Sequence, residues 1–275
     1  MKILNPSGWY HSPRYVSGLL ARSLITTAGR VAKTLDGDVV APGDAGAQTK
    51  HIMEALEATL SEAGATFADA VKMTTIYVDE EDWPSIVEAY SPYLTSPHPP
   101  HTAMRVQSLG SPDLRLEIEI AAAPTGNSNN MRQREENMPI QALNPSTIYN
   151  SPRYASGMRA GNILFTAGRV PLDRDGNVVA PEDASKQTEH IMRDLQEILS
   201  DGGAQLSDVV YVHTYFVASE DMPGIHEVRQ RFFGDHFPPH TGTQVEKPDW
   251  KCRGIRVEIE VAAVIEEPTE LTEGV

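Results

Sequence analysis

Two pairs of glutamates in the chain have a spacing that suits acid–base chemistry. Glu117 and Glu119 lie two residues apart, and Glu258 and Glu260 have the same separation. Because side chains alternate along a strand, both acids of a pair would point to one face. A carboxylate placed there can take a proton from water as a general base. The same pattern also suits a solvent-facing acidic ladder that pairs with a nearby arginine.

Two histidines also stand at positions where chemistry is possible. His101 and His240 each follow a Pro-Pro pair. Prolines hold the chain extended and would deliver the next side chain at the start of a strand. An imidazole can bind a substrate or act as an acid or base near neutral pH. A single histidine at a strand end is usually only a polar residue, but its recurrence favours a functional interpretation.

These candidates recur because the chain contains an internal repeat. Residues 5–31 match residues 144–170 at 16 of 27 positions, at an offset of 139 residues that holds without a gap as far as His101 and His240. The offset becomes 141 before the glutamate pairs, because the second copy carries two extra residues. We interpret that insertion as lying in a hairpin turn.

The repeat divides the chain into domains. We predict an N-terminal domain over residues 1–124 and a C-terminal domain over residues 140–266. Residues 125–139 are polar and lack apolar periodicity, which predicts a linker. Residues 267–275 form an acidic tail that we expect to be loose.

Each copy shows the same order of predicted elements, ββ-α-β-α-ββ. In the first copy, apolar residues recur at spacings of three and four over residues 44–63, which predicts a long helix. Asp36-Gly and Asp175-Gly predict tight turns that tolerate positive φ. This order indicates an α+β class with a mixed sheet and two helices on one face. The other face of so small a domain needs a cover, so we expect an oligomer.

Four local motifs occur in the same order in both halves. The first half contains Pro13-Arg-Tyr-Val-Ser-Gly, Thr27-Ala-Gly-Arg-Val, Pro99-Pro-His-Thr and Arg115-Leu-Glu-Ile-Glu, and the second contains Pro152-Arg-Tyr-Ala-Ser-Gly, Thr166-Ala-Gly-Arg-Val, Pro238-Pro-His-Thr and Arg256-Val-Glu-Ile-Glu. Together they resemble the RidA (YjgF/UK114) family. The resemblance implies a chorismate-mutase-like α+β domain, trimers with clefts between subunits, and hydrolysis of reactive enamines and imines without metal or cofactor.

The resemblance also implies roles for individual residues. The water-activating acids would be Glu117 and Glu258, the cleft tyrosines Tyr15 and Tyr154, and the backbone contacts Gly29 and Gly168. The remaining acids of each pair, Glu119 and Glu260, would be structural. We expect His101 to share a cleft with Glu117, and His240 to share one with Glu258.

The chain departs from the family pattern at the substrate anchor. Where the deaminases have Pro-x-Arg-Ser, both halves have Pro-Pro-His-Thr, so His101 and His240 take the place of the arginine and are followed by Thr102 and Thr241. Arginine binds a carboxylate with a permanently charged fork, whereas histidine offers a single, switchable contact. A substitute anchor could come from the nearby arginines Arg14, Arg30, Arg153 and Arg169. Alternatively, the substrate is neutral, or the histidine acts as an acid or base.

Other recurring or reactive residues have simpler interpretations. His51 and His190 each precede an apolar Ile-Met pair on a predicted helix, which indicates a helix surface or interface. Cys252 is the single cysteine and lies in the insertion of the second copy alone, so we interpret it as incidental. The dispersed histidines predict no metal site.

Charge and hydropathy narrow the classes of function. The net charge is −15 and the pI is about 5.0, so the surface field would repel nucleic acid and anionic membranes. No run of about 18 apolar residues occurs, and we expect a cytoplasmic protein. We predict a trimer of tandem chains acting on a small-molecule substrate. The alternative is a non-catalytic binding or regulatory protein, and the charge argues against the endoribonuclease activity sometimes attached to the family.

Overall fold

The computed structural model describes residues 1–13, 15–21, 23–124, 140–236, 238–245 and 254–265. The predicted linker 125–139, the predicted tail 267–275, Arg14 and Cys252 lie outside the described residues. Within those ranges, no helix has the length and apolar character needed to cross a membrane.

The two repeats contain the same elements in the same order. The first repeat consists of β1 (Lys2–Leu4), β2 (Gly18–Ala21), β3 (Leu24–Thr27), α1 (Ala45–Glu62), β4 (Ala70–Tyr77), α2 (Trp83–Tyr90), β5 (His101–Arg105) and β6 (Leu116–Ala122). The second consists of β7 (Ile140–Leu143), β8 (Gly157–Ala160), β9 (Ile163–Thr166), α3 (Ala184–Asp201), β10 (Val209–Phe216), α4 (Met222–Phe233), β11 (His240–Gln244) and β12 (Val257–Val264). Each repeat is one mixed six-stranded sheet with two helices, so the predicted α+β class is confirmed.

The strand order corrects the predicted closing hairpin. The first sheet runs β1-β2-β3-β6-β4-β5, so β4 lies between β5 and β6. After the α2 crossover, β5 adds parallel to β4, whereas β6 pairs with β4 in the antiparallel sense. A helical crossover returns a strand parallel to its predecessor, and because β4 takes the place between β5 and β6, these two strands do not form a hairpin. The two extra residues of the second repeat therefore fall between β11 and β12, in a segment of which residues 246–253 lie outside the described residues.

The positions of the long helices and of the Asp-Gly turns agree with those predicted from the local sequence. Asp44 caps α1 by accepting a hydrogen bond from the Ala47 amide at 2.9 Å, which satisfies one of the free N–H groups of the first turn. Both Asp-Gly turns carry their glycine at positive φ, with 92° at Gly37 and 84° at Gly176. The short strands β1 and β7 were not predicted, because three or four residues are too few to show a period.

The helices cover one face of each sheet, and the opposite faces of the two sheets pack against each other over part of their surface. In the first repeat, Ile52 and Leu56 of α1 pack on Met73 in the core. On the opposite face, Ile76 and Met104 pack with Tyr215 of the second repeat. Part of the cover that a small domain needs is therefore supplied within one chain.

Candidate active site

A glutamate and a glycine of the second repeat lie in direct contact. A Cβ atom added to Gly168 would be 1.7 Å from a carboxylate oxygen of Glu258, so any side chain there would displace the acid. Glu258 is on β12 and Gly168 follows β9, and these strands are neighbours in the sheet. The first repeat has the same arrangement, with 1.6 Å between the added Cβ of Gly29 and a Glu117 carboxylate oxygen.

The first repeat completes the cleft around Glu258. The ring of His101 meets the ring of Tyr154 edge-on, with 6.0 Å between their centroids. The Gly168 amide donates a 2.9 Å hydrogen bond to the Thr102 hydroxyl. We call this group of His101, Thr102, Tyr154, Gly168 and Glu258 the interrepeat cleft.

A buried ion pair joins the two repeats beside this cleft. The ammonium group of Lys72 lies 2.6 Å from a carboxylate oxygen of Glu260, and also donates to the Thr102 hydroxyl at 2.6 Å and the Thr166 carbonyl at 2.8 Å. The Thr102 hydroxyl donates to the same carboxylate. Glu260, predicted to be structural, thus holds the edge of the cleft together through Lys72, a residue that sequence analysis missed.

The surroundings shift the pKa of Glu258 in the cleft and the pKa of Glu260 beside it in opposite directions. Burial, and then the neighbouring Glu260, raise the pKa of Glu258 well above its ordinary value. Burial alone would also raise the pKa of Glu260, but the charge and hydrogen bond of Lys72 outweigh it and lower that pKa. Carboxyl groups with divergent pKa values are a common basis for acid–base catalysis. Glu258 is therefore the group suited to move protons.

His101 sits in an aromatic pocket of its own repeat. Its ring lies 5.9 Å from that of Trp83 and 5.6 Å from that of Tyr90, and its Nε2 is 3.0 Å from the Thr75 hydroxyl. Burial, with a smaller contribution from Lys72, lowers the pKa of His101 to about 3. The ring is thus neutral at physiological pH and does not replace the permanent charge of an arginine.

The expected pairing of histidine and glutamate inside one repeat is wrong. His101 lies beside Met73 in the sheet, and Met73 points to the helix-covered core. Glu117 lies beside Ile76, which points to the opposite face. Neighbouring residues on adjacent strands share a face, so His101 and Glu117 are on opposite sides of the sheet. His240 and Glu258 are separated in the same way, because their neighbours are Val212 in the core and Tyr215 on the opposite face.

Two of the arginines considered as substitute anchors have structural contacts instead. The buried Arg169 guanidinium pairs with Asp194 at 2.7 Å and donates to the Tyr149 carbonyl at 2.9 Å. Arg30 is also buried and donates to the Tyr10 carbonyl and the Ser17 hydroxyl. Both therefore fasten the loop that carries the cleft tyrosine. Arg153 is exposed, and its carbonyl accepts a 2.7 Å hydrogen bond from the His98 ring.

The counterparts of these cleft residues in the opposite repeat are more exposed to solvent. Tyr15 is 55% exposed, whereas Tyr154 is partly covered by the first repeat. Thr241 is exposed, whereas Thr102 is buried. We call Tyr15, Gly29 and Glu117 the open half-cleft, because its tyrosine is exposed and its acid is only partly buried.

The recurring helix histidines have a packing role. His51 lies 3.1 Å from the Lys33 carbonyl, and His190 lies 2.9 Å from the Leu172 carbonyl. Each therefore joins its helix to the loop that follows β3 or β9. Lys72 had a visible signal, since it is the single charged residue of the otherwise uncharged strand Ala70–Tyr77.

The fold and the cleft define a tandem protein whose site is built by two copies of one α+β domain. A family model described as endoribonuclease L-PSP matches residues 10–124 and again residues 145–265. The chain therefore belongs to this family, the RidA family, and contains its domain twice.

Relatives match one domain at a time. The 3-aminoacrylate deaminase RutC of Acinetobacter baylyi is 35% identical over 98 residues, which are 35% of this chain and 78% of the relative. A RutC family protein of Pyrococcus abyssi is 30% identical over 94 residues, which are 34% of this chain and 74% of the relative. The solved structure of the YjgF gene product from E. coli matches 46% of this chain and 99% of its own length, with 21% identity and a TM-score of 0.42.

Proposed function

We propose that the protein is a hydrolase that deaminates a small reactive enamine or imine in the interrepeat cleft. The observation that carries the proposal is the buried Glu258, which has a raised pKa and lies against Gly168 within reach of Tyr154. Relationship to a 3-aminoacrylate deaminase supports the same reaction class. RNA cleavage is not proposed, because a net charge of −15 opposes binding of a polyanion.

In the proposed reaction, Glu258 moves the protons. Its carboxylate takes a proton from water while the water oxygen bonds to the C=N carbon, and it passes that proton to nitrogen to give a carbinolamine. Glu258 then moves the proton of the new hydroxyl to nitrogen as the C–N bond breaks, so that the carbonyl forms and ammonia leaves. The products are a carbonyl compound and ammonia, so the reaction needs no oxidant. Tyr154 and the Gly168 amide would orient the substrate, and the amide must exchange its bond to Thr102 for one to the ligand.

The surroundings of His101 favour a substrate without a carboxylate in this cleft. The ring is neutral and surrounded by aromatic side chains, and the buried arginine nearby, Arg169, is already paired with Asp194. A carboxylate needs charge-assisted hydrogen bonds to offset its desolvation. We therefore propose a small neutral imine or enamine for the interrepeat cleft.

The proposal is tested by following ammonia release from imines generated freshly in the assay, from both amino acids and neutral amines. We expect Glu258→Gln to lower kcat by about 100-fold or more, since general acid–base catalysis contributes that much. Glu57→Gln removes the same charge from the exposed face of α1 and serves as the matched control. Wild-type protein that is inert, beside a working family member, would overturn the hydrolase.

The competing proposal is a non-catalytic binding or regulatory protein. This proposal is supported if a small molecule raises the Tm of the protein but is recovered unchanged after incubation. The Glu258→Gln variant should then bind that molecule as well as the wild type does.

We also propose that the chain forms a homo-oligomer, with a trimer as the expected state. Support comes from exposed large hydrophobic side chains in both repeats, namely Tyr15 in the first and Val210 and Tyr211 in the second. Light scattering that finds a single 30.1 kDa species at assay concentrations would contradict the oligomer.

A further inference from the structure

The histidine of the second repeat lies in a polar pocket. His240 begins β11, and its Nε2 atom is buried without a hydrogen-bond partner among the described residues. The ring of His226, from α4, meets it edge-on with 5.6 Å between the centroids. His226 is itself exposed, so the pocket opens to solvent on that side.

A buried arginine lies near these histidines: burial, and then the charge of Arg229, lower the pKa values of His226 and His240. Arg229 follows His226 by one helical turn on α4 and is 7% exposed. Its Nε atom is buried without a partner, and no described carboxylate pairs with its guanidinium. Burial lowers the pKa of Arg229 to about 10, yet the group stays charged at neutral pH. An unpaired buried cation is costly to a fold, so its retention favours a role with an anionic partner.

The first repeat shows that the fold does not need this charge. At the offset of 139 residues, Val87 stands in place of His226, and Tyr90 in place of Arg229. Tyr90 packs edge-on against His101, and the pocket there is aromatic. The same backbone thus builds an aromatic pocket in one repeat and a cationic pocket in the other.

We propose that His226, Arg229 and His240 form an anion-binding pocket that takes the carboxylate of a small organic acid. A guanidinium can hold a carboxylate through two parallel hydrogen bonds, which a histidine cannot do. The free Nε2 of His240 supplies a further contact. The pocket thereby gives the second repeat the charged anchor that its Pro-Pro-His-Thr segment lacks.

This inference rests on the proposed function only for its biological meaning. In a deaminase, the pocket would select imino or oxo acids, while the interrepeat cleft takes neutral compounds. The binding itself is independent of turnover, and can be measured on protein that releases no ammonia.

The test uses calorimetric titration of the full chain with sodium pyruvate and with pyruvamide, its neutral analogue, at constant ionic strength. We expect wild-type protein to bind pyruvate and not pyruvamide, and Arg229→Met to weaken pyruvate binding by at least tenfold. Arg193→Gln removes an exposed arginine of α3 and should leave binding unchanged. Equal binding of pyruvate by Arg229→Met and the wild type would overturn the proposal, as would no binding by the wild type.

A second readout separates an anchor from a structural arginine. Arg229→Met should keep or raise the Tm, because it removes a buried charge that no described carboxylate neutralises, whereas a structural arginine would lower the Tm when replaced. His226→Val copies the first repeat and should weaken pyruvate binding by a smaller factor without unfolding the protein. If deamination of neutral imines persists while pyruvate does not bind, the pocket fails and the hydrolase stands.

Discussion

The interrepeat cleft and the open half-cleft hold the same residue types in different surroundings. Glu258 is 5% exposed, whereas its counterpart Glu117 is only partly buried. Tyr154 meets His101 of the other repeat, whereas Tyr15 is 55% exposed. The motif residues therefore supply one wall of a site, and the neighbouring repeat supplies the other. A duplicated domain can make one cleft within a single chain and still present an incomplete second one.

The strands that could supply the second wall of such a cleft, β4 and β10, also differ in their side chains. In the first repeat, Lys72 reaches into the cleft and pairs with Glu260. Its counterpart in the second repeat is Tyr211, which is 37% exposed. Next to it, His213 and Tyr215 join by a 3.0 Å contact between ring nitrogen and hydroxyl. The cation that joins the repeats is thus present on one face alone.

The largest expected effect comes from removing that cation. Lys72→Met leaves the carboxylate of Glu260 buried without its partner, and breaking a buried pair in this way costs about 3 kcal/mol or more of unfolding free energy. Urea denaturation measures the loss. Tyr211→Met at the equivalent position should change stability by no more than about 0.5 kcal/mol. A Lys72→Met protein of wild-type stability would show that the repeats are held by apolar contacts alone.

A smaller effect is expected from the glycines under the glutamates. Gly168→Ala places a methyl group against the buried Glu258 carboxylate and should cost about 1–3 kcal/mol as overpacking, together with most of the ammonia-releasing activity. Gly29→Ala meets Glu117 in the same geometry, but that acid is less buried and can turn away. Denaturation of both variants gives the comparison. Equal costs would mean that the open half-cleft is covered in solution.

The raised pKa of Glu258 predicts that the stability of the wild type depends on pH in a way that the Glu258→Gln variant does not share. A carboxyl group with a raised pKa binds more protons in the folded state, so wild-type stability falls as pH rises from the ordinary glutamate pKa towards the raised one. Glu258→Gln removes that fall and should raise the unfolding free energy at pH 7 by on the order of 1 kcal/mol. Glu117→Gln, whose acid is less strongly shifted, should gain less. A loss of stability in Glu258→Gln at pH 7 would contradict the raised pKa.

Much of the fold was predictable because its signals are local. The periodicity over residues 44–63 predicts α1, which the structure places at Ala45–Glu62. The repeat itself predicts two equivalent domains. The order of β4, β5 and β6 was not predictable in this way, since pairing of β5 beside β4 depends on where the α2 crossover returns the chain.

In the candidate site, too, the contacts between neighbouring strands were predictable and the contacts between the two repeats were not. The contact of Gly168 with Glu258 arises between neighbouring strands, and the motifs locate both residues. The contacts of Tyr154 with His101 and of Glu260 with Lys72 depend on how two folded repeats dock. Docking is set by apolar faces spread over several strands, and no short motif carries that information.

The smallest expected effect tests whether the open half-cleft stays open in solution. In an isolated chain, Tyr15→Ala should change the unfolding free energy by less than about 0.5 kcal/mol, because the ring is exposed. Tyr154→Ala should cost more, because it removes the contact with His101. If a second chain covers Tyr15, the Tm of the wild type rises with protein concentration and that of Tyr15→Ala rises less. Thermal scans over a hundredfold range of protein concentration measure this rise. If the Tm of both proteins is independent of concentration, the open half-cleft is exposed in solution and the proposed oligomer is contradicted.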